Sequence, residues 1–404
     1  MVSTDLGIDD VRAAARLLDG VAQRTPIHAS RALTELVGVP VRLKCENLQR
    51  TGSFKIRGAY VRMARLSATE KPRGVVAASA GNHAQGVALA ADLLGLSATV
   101  YMPVDAALPK IAATRGYGAT VHLVGETLEE ALDAARAAAE STGATLIHPF
   151  DHRDIVLGQA TVGLEIVEQL PDVATIVVPV GGGGLAAGIA LAATSVRPGI
   201  RVIGVQAERA AAYPRSLAEH HPVHAGELVT MADGIAVGLP GDVPFSIIHE
   251  RCAGVVTVSE EDLSRALLLL AERSKLIVEP AGAAGVAALM SRPQDWEGPV
   301  VAVLSGGNID PNVLFRVLRH GLASAGRYLQ LRVRLSDRPG SLALLMARLA
   351  QSGANVMQVG HVRTGVGLAI DEVEIDVQAE TKGPEHAAQV LEDLRAGGFQ
   401  ILEA

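Results

Sequence analysis

Cysteine is nearly absent from this chain, with only Cys45 and Cys252 among 404 residues. Two thiols cannot build a disulfide framework or a cysteine-based zinc site. An excess of basic charge is also missing: 36 Lys and Arg stand against 43 Asp and Glu, a net charge of −7. That balance offers no electrostatic footprint for nucleic acid or for an anionic membrane surface. Long apolar runs are absent as well, since the most apolar stretches, 266–271 and 175–180, fall far short of the ~20 residues that span a bilayer. The N-terminus, MVSTDLGIDDVRAA, is acidic and has neither a basic n-region nor an apolar h-region. The expectation is a soluble cytoplasmic protein. Aromatic residues are scarce too, at 3%, whereas alanine is abundant and glycine numbers 42, a composition suited to helices packed closely on sheets. With 49% hydrophobic and 20% charged residues, the chain is globular, and its length allows two or three domains.

From Gly74 onward, short β-branched runs alternate with Ala/Leu-rich helical stretches. Strands are expected at 75–78, 98–102, 120–124, 145–148, 175–180, 201–206 and 300–304. Helices are expected at 82–94, 110–117, 127–139, 154–170, 185–194, 260–273, 281–290 and 312–320. Apolar strands separated by helices of this length imply α/β architecture with parallel sheets covered on both faces. The stretch HGLASAGR, 320–327, reads as a linker. Beyond it the pattern becomes βαββαβ: strand 328–335, the turn Asp337-Arg338-Pro339-Gly340, helix 341–352, strands 355–361 and 372–378, helix 384–396 and strand 399–402. The expected division is a region 1–326, with a small lobe at about 50–145 and a large lobe formed by the remainder, and a small domain 327–404.

Four segments carry chemistry. In Thr51-Gly52-Ser53-Phe54-Lys55-Ile56-Arg57, a lysine sits between two apolar residues. An apolar setting destabilises its ammonium, so the amine can act as nucleophile or base; an exposed lysine at a helix start is the plain alternative. Ser79-Ala80-Gly81-Asn82-His83 lies between a strand and a helix, where unpaired N–H groups favour an anion such as a carboxylate. An ordinary capping turn, with His83 merely solvated, would look the same. Gly181-Gly182-Gly183-Gly184-Leu185 also joins a strand to a helix, and four glycines let the backbone curl its N–H groups onto a phosphate. The run formally satisfies G-x-G-x-x-A through Gly181, Gly183 and Ala186, which opens a nicotinamide-dinucleotide reading, but it lacks the G-K-[ST] ending of a P-loop. Finally, Ser305-Gly306-Gly307-Asn308 follows a strand, and its glycines leave Ser305 room to approach a flat ring.

An early lysine, an anion site, a phosphate loop and a late serine are the set that a pyridoxal-phosphate enzyme needs. Together they resemble the fold-type II pyridoxal-phosphate enzymes, the tryptophan synthase β-like fold, in their threonine/serine dehydratase branch. The similarity runs from about Thr25 to Leu318 and is carried by S-F-K-I-R-G-A at 53–59 and S-A-G-N-H-A-Q-G at 79–86. The βαββαβ segment, with Asp337-Arg338-Pro339-Gly340-Ser341-Leu342, is similar to an ACT regulatory domain of the ferredoxin-like type. The whole arrangement resembles the medium-length threonine ammonia-lyases.

The resemblance implies pyridoxal 5'-phosphate as cofactor. Lys55 would hold it covalently and, once released by the incoming amino acid, remove the α-proton. Phe54 would pack beside the ring, Asn82 would bond the ring hydroxyl and Ser305 would meet the pyridine nitrogen. Gly181, Gly182, Gly183, Gly184 and Leu185 would take the phosphate. Ser79, Ala80, Gly81, Asn82 and His83 would grip the substrate carboxylate. The implied reaction is loss of water from L-threonine to give 2-oxobutanoate and ammonia, with L-serine giving pyruvate. Serine racemases of this branch place a serine where Ala80 stands, so little racemase activity is expected. The cation-binding acids of some relatives fall at Gln206 and Ala212, so no metal site is expected. Gly340 and Asn355 would contact an amino-acid effector, with isoleucine or valine expected, in a homo-oligomer (dimer or tetramer). Alternatives are a serine- or hydroxyaspartate-preferring dehydratase or a racemase on the same fold and, more remotely, a dinucleotide-dependent dehydrogenase or a non-catalytic amino-acid sensor.

Overall fold

A strand that is apolar at every position has to be covered on both faces, and this chain has several. The computed structural model describes residues 6–226, 228–363 and 367–403. They fall into two compact units, Met1–Pro311 and Asn312–Ala404. In the first unit the strands are β1 (Ile27–Ala29), β2 (Val41–Cys45), β3 (Val75–Ala78), β4 (Ala98–Met102), β5 (Thr120–Leu123), β6 (Thr145–Leu146), β7 (Thr175–Pro179), β8 (Arg201–Ala207), β9 (Gly254–Val258) and β10 (Val300–Leu304). Every residue of β3, β7 and β10 is buried.

These strands make two sheets. The small-lobe sheet has the order β5-β4-β3-β6 and is parallel throughout. The large-lobe sheet has the order β1-β2-β10-β7-β8-β9 and is parallel except at β1, which runs antiparallel to β2. β1 is three residues long and mostly exposed; as an edge strand it needs a partner on one side only. β2 and β9 lie outside the expected alternation. β2 escapes notice because Val41-Arg42-Leu43-Lys44-Cys45 carries two cations, one of them buried.

Local signals set the helix ends. The helix Asn82–Leu94 falls where expected. Leu108–Gly116 starts earlier than expected because Pro109 is tolerated in a first turn. Leu128–Thr142 is capped by Thr127, with Glu130 closing a capping box.

Three helices lie backbone against backbone: Lys55–Ala64, Arg153–Gln169 and Gly184–Val196. A Cβ on Gly158 would sit 2.5 Å from the Arg57 carbonyl oxygen, and one on Gly188 would sit 2.6 Å from the Ala160 nitrogen. Part of the chain's small-residue content therefore serves close helix contact as well as turns. Beside this contact lies a buried charge cluster. The Arg57 guanidinium donates to Glu46 Oε1 and Oε2, both at 2.9 Å, to Glu165 Oε1 at 2.7 Å and to Thr161 Oγ1 at 3.1 Å. Lys44 Nζ donates to Glu165, to the Thr25 carbonyl at 2.8 Å and to Gln169 at 2.9 Å. Burial alone would raise the Glu46 carboxyl, but Arg57 and Lys44 outweigh it and hold it below its usual range.

In the second unit the helix Pro311–Ser324 precedes β11 (Tyr328–Ser336), β12 (Asn355–Val362), β13 (Glu372–Glu380) and β14 (Gln400–Glu403). The antiparallel sheet has the order β12-β13-β11-β14. Strict alternation buries Leu329, Leu331, Val333 and Leu335 with Leu345, Leu349, Val390 and Leu394 of the helices Ser341–Gln351 and Pro384–Ala396. The other face pairs Arg332 with Asp376 and Arg334 with Glu374, directly across the ladder. The expected linker 320–327 is mostly helix, because Leu322 and Ala323 are good helix formers and the turn stops only at Gly326, where φ is 63°. The units divide after Pro311, so this helix groups with the C-terminal sheet.

Removing Arg57 would leave the fully buried Glu46 carboxylate without its charged donor, while Glu165 would keep only Lys44. Arg57→Met is expected to cost about 3–5 kcal/mol of unfolding free energy, read from the denaturant midpoint. For Glu46, whose folded pKa is depressed, the stabilisation is present above about pH 4.3 and lost as pH falls through the folded value. The variant's deficit should therefore shrink on acidification.

Candidate active site

All four segments singled out from the sequence line one cleft of about 270 Å³ between the lobes of the first unit. Backbone bonds bring them there. Phe54 N donates to the Ser305 carbonyl at 3.2 Å and Gly307 N to the Gly52 carbonyl at 2.9 Å, which zips the turn before Lys55 onto the end of β10. Asn308 Nδ2 donates to the Thr51 carbonyl and, at 2.8 Å, to Asn82 Oδ1. Thr51 is held at φ 60°, a region a β-branched residue rarely adopts.

Lys55 opens the helix Lys55–Ala64. Its Nζ donates to the Pro149 carbonyl at 3.0 Å and lies 5.2 Å from the centre of the Phe54 ring. Burial pulls its pKa down to about 8, opposed by Glu279, so the amine is within reach of its neutral, nucleophilic form. Ser79, Ala80 and Gly81 form the loop after β3. Gly81 is the residue ahead of the helix Asn82–Leu94, with no side-chain cap, and its N–H donates to Ser79 Oγ at 3.1 Å. His83 is neither solvated nor charged. It is 4% exposed and hydrogen-bonds the Ile147 carbonyl through Nε2, and burial, then Lys55, pushes its pKa down to about 3. Any grip of this loop on a carboxylate is therefore made by N–H groups rather than by an imidazolium.

The loop Gly181–Gly184 enters the helix Gly184–Val196, and Gly183 has φ 99°. A Cβ on Gly182 would be 2.4 Å from the Phe150 ring, and one on Gly183 would be 2.0 Å from Tyr213 Oη. Only bare backbone fits here. Among the described residues the N–H groups of Gly181, Gly182 and Gly183 find no acceptor. Leu185 lines the cleft from the first turn of that helix, and Ser305, 4% exposed, lines it from the end of β10.

Other residues of the cleft escaped the sequence reading. Glu279, 6% exposed, accepts from Asn82 Nδ2 at 2.7 Å. Burial, then Asp233, raises its pKa to about 7 against the pull of Asn82, Lys110 and Lys55. A lone acid in Leu276-Ile277-Val278-Glu279-Pro280 was the available signal. Phe150 beneath the glycine loop, and Lys110 paired with Asp233 at 3.0 Å, gave none.

A buried amine, a run of glycine N–H groups without an acceptor among the described residues and the cleft between them fit the aldehyde, phosphate and ring of pyridoxal phosphate. The dinucleotide reading fails. Gln206, where a ribose-binding acid would stand, is fully buried and accepts from Tyr213 N at 2.8 Å. Gly340 and Asn355 belong to the second unit. Gly340, at φ 95°, follows the Ser336 end of β11, whereas Asn355 pairs with Glu380, the partner of Tyr328 at the other end. Within one copy they stand at opposite ends of the sheet, about 25 Å apart along the strand. Among the described residues no group of three or more His, Cys, Asp or Glu side chains is placed to hold a metal ion, and no helix is long and apolar enough to cross a membrane.

Comparison with known proteins agrees with the geometry. An L-threonine ammonia-lyase of Thermotoga maritima is 45% identical over 395 residues, covering 98% of each chain. A crystal structure of the T.th. threonine deaminase is 42% identical with a TM-score of 0.72, over 76% of this chain and 99% of that one. Serine racemase from Dictyostelium discoideum is 35% identical with a TM-score of 0.71, over 76% of this chain and 100% of that one. The family model for pyridoxal-phosphate dependent enzymes matches residues 18–306. The chain belongs to the pyridoxal-phosphate-dependent enzyme family.

Proposed function

We propose that the chain catalyses α,β-elimination of water from L-threonine to give 2-oxobutanoate and ammonia, and acts on L-serine as a second substrate. The observation that carries this is the cleft in which Lys55, Asn82, the glycine loop and Ser305 converge, in a chain matching an L-threonine ammonia-lyase along 98% of its length. When bound, pyridoxal phosphate supplies the electron sink that acidifies the substrate α-carbon. Lys55 anchors the cofactor and then takes the α-proton. Phe54 walls the slot, and Gly181, Gly182, Gly183, Gly184 and Leu185 offer N–H groups to the phosphate. Asn82, held at both ends of its amide by Glu279 and Asn308, presents a fixed donor to the ring hydroxyl. Ser305, at the end of β10, would meet the ring nitrogen with a hydroxyl, which does not enforce a charged ring. The loop Ser79-Ala80-Gly81, whose Gly81 N–H is braced by Ser79 Oγ, would orient the substrate carboxylate with the N–H groups of Ala80, Asn82 and His83.

Two features support threonine over the alternatives. Ala80 cannot carry a proton, so nothing at that position reprotonates the opposite face of the substrate. Lys110, which with Lys55 completes the lysines lining the cleft, is already paired with Asp233. Among the described residues lining the cleft, the second carboxylate of a hydroxyaspartate would find no unpaired cation besides Lys55.

The βαββαβ order and the glycine turn support an ACT-like regulatory role for the second unit, in a cytoplasmic homo-oligomer. Because Gly340 and Asn355 occupy opposite ends of the sheet, an isoleucine or valine bound by both would need two copies of the unit.

The holoenzyme is expected to be yellow. Lys55→Ala should lose the borohydride-sensitive visible band and at least about 10²–10⁴-fold in kcat. A colourless wild type would sink the reading. Keto-acid assays should rank threonine above serine by about 10–200-fold in kcat/KM, the worth of one methyl in an apolar pocket. Hydroxyaspartate should trail both, with negligible D-serine formed from L-serine. L-isoleucine or L-valine titrated into the full chain should change KM or kcat. Gly340→Ala should shift the half-maximal effector concentration while leaving effector-free turnover unchanged, and identical dose curves would remove the assignment.

A further inference from the structure

A glycine-rich loop presents N–H groups to an anion only if its peptide planes are turned the right way, and glycine by itself leaves them free to flip. The Gly182–Gly183 peptide is trans, so its C=O and N–H point in opposite directions. The carbonyl oxygen of Gly182 is taken from inside the protein by two donors: Gly241 N at 3.2 Å and the hydroxyl of Tyr213 at 3.2 Å. With the oxygen drawn inward, the Gly183 N–H is left facing the cleft that Gly182 and Gly183 line. Flipping this plane would break both bonds and aim a carbonyl oxygen at the anion.

Tyr213 is built for this contact. It is fully buried, at 0% exposure, beside Phe245. Its own N–H is held by Gln206 Oε1 at 2.8 Å, so the end of β8 sets the position of the ring. Burial raises the phenol's pKa, which keeps the hydroxyl protonated and able to donate. The fit is tight, since a methyl on Gly183 would overlap the Tyr213 oxygen at 2.0 Å.

We propose that Tyr213 is a positioning residue for the phosphate loop, its hydroxyl locking the Gly182–Gly183 peptide so that the Gly183 N–H faces the bound phosphate. The inference rests on reading Gly181–Leu185 as the phosphate site. Its signature is selective: loss of the lock weakens ligands that carry a phosphate and leaves those without one unchanged.

The test titrates apo wild type and Tyr213→Phe with pyridoxal 5'-phosphate and with pyridoxal, following the visible band, and measures the thermal shift given by inorganic phosphate. Tyr213→Phe is expected to weaken pyridoxal phosphate about 3–10-fold, the worth of one hydrogen bond, with pyridoxal unchanged within about twofold and a smaller phosphate-induced shift. Gln206→Met, which releases the Tyr213 N–H at similar volume, is the second variant and should show the same selectivity. Unchanged affinity for pyridoxal phosphate in both variants, or equal losses for both ligands, overturns the lock. A wild type that binds pyridoxal as tightly as pyridoxal phosphate overturns the phosphate reading itself, and the lock with it.

Discussion

Backbone contact among three helices is the constraint on which the site depends. Lys55–Ala64, Arg153–Gln169 and Gly184–Val196 approach so closely that a single methyl at Gly158 or Gly188 would meet main-chain atoms at 2.5–2.6 Å. The N-terminus of each carries a piece of the cleft: Lys55 on the first, the Pro149-Phe150 segment just ahead of the second, and the glycine loop on the third. Main-chain contact admits little adjustment, since interiors are close-packed and an added methylene is felt across its neighbours. The main chain that bears Lys55, the Pro149 carbonyl that accepts from its amine and the phosphate nest are thereby fixed relative to one another by backbone atoms.

Charge is divided into two populations with opposite duties. In the cluster of Arg57, Lys44, Glu46 and Glu165, every ion faces a counter-ion at hydrogen-bond distance. That satisfaction makes the cluster structural, and it joins β2, the Lys55 helix and Arg153–Gln169 at one point. The cleft holds the reverse arrangement. Lys55 sits near 8, Glu279 near 7, and His83 is driven to about 3, each first of all by burial. Groups with few counter-ions and little water are those whose protonation can change during a reaction. A single residue, Ile56, separates Lys55 from Arg57 along the chain, yet the two belong to opposite regimes.

The parts of the site legible in the sequence share one property: each declares itself within a few neighbouring residues. A lysine flanked by Phe54 and Ile56, four glycines after an apolar strand, and Ser79-Ala80-Gly81-Asn82-His83 at a strand–helix junction are local signals, and all of them converge in the cleft. The residues that escaped act across long separations. Glu279 meets Asn82, Phe150 underlies Gly182, and Tyr213 reaches Gly182. Their neighbours in sequence look ordinary. The same distinction explains the fold: apolar strands such as β3, β7 and β10 announce themselves, whereas β2 carries two cations, and its Lys44 can be buried because Glu165, Gln169 and the Thr25 carbonyl accept its ammonium.

Sequence alone determined the reaction class, through motifs whose glycines, lysine and serine have few other uses in that combination. It also determined the parallel α/β character and the βαββαβ tail, because periodicity is a property of adjacent residues. Tertiary structure decided what depends on distance. It set where the units divide, which carboxyl meets Asn82, that His83 is neutral, and that Gly340 and Asn355 lie at opposite ends of one sheet. Burial and pairing exist only once remote segments have met, and those two quantities set the charge of a side chain and the direction in which a peptide points.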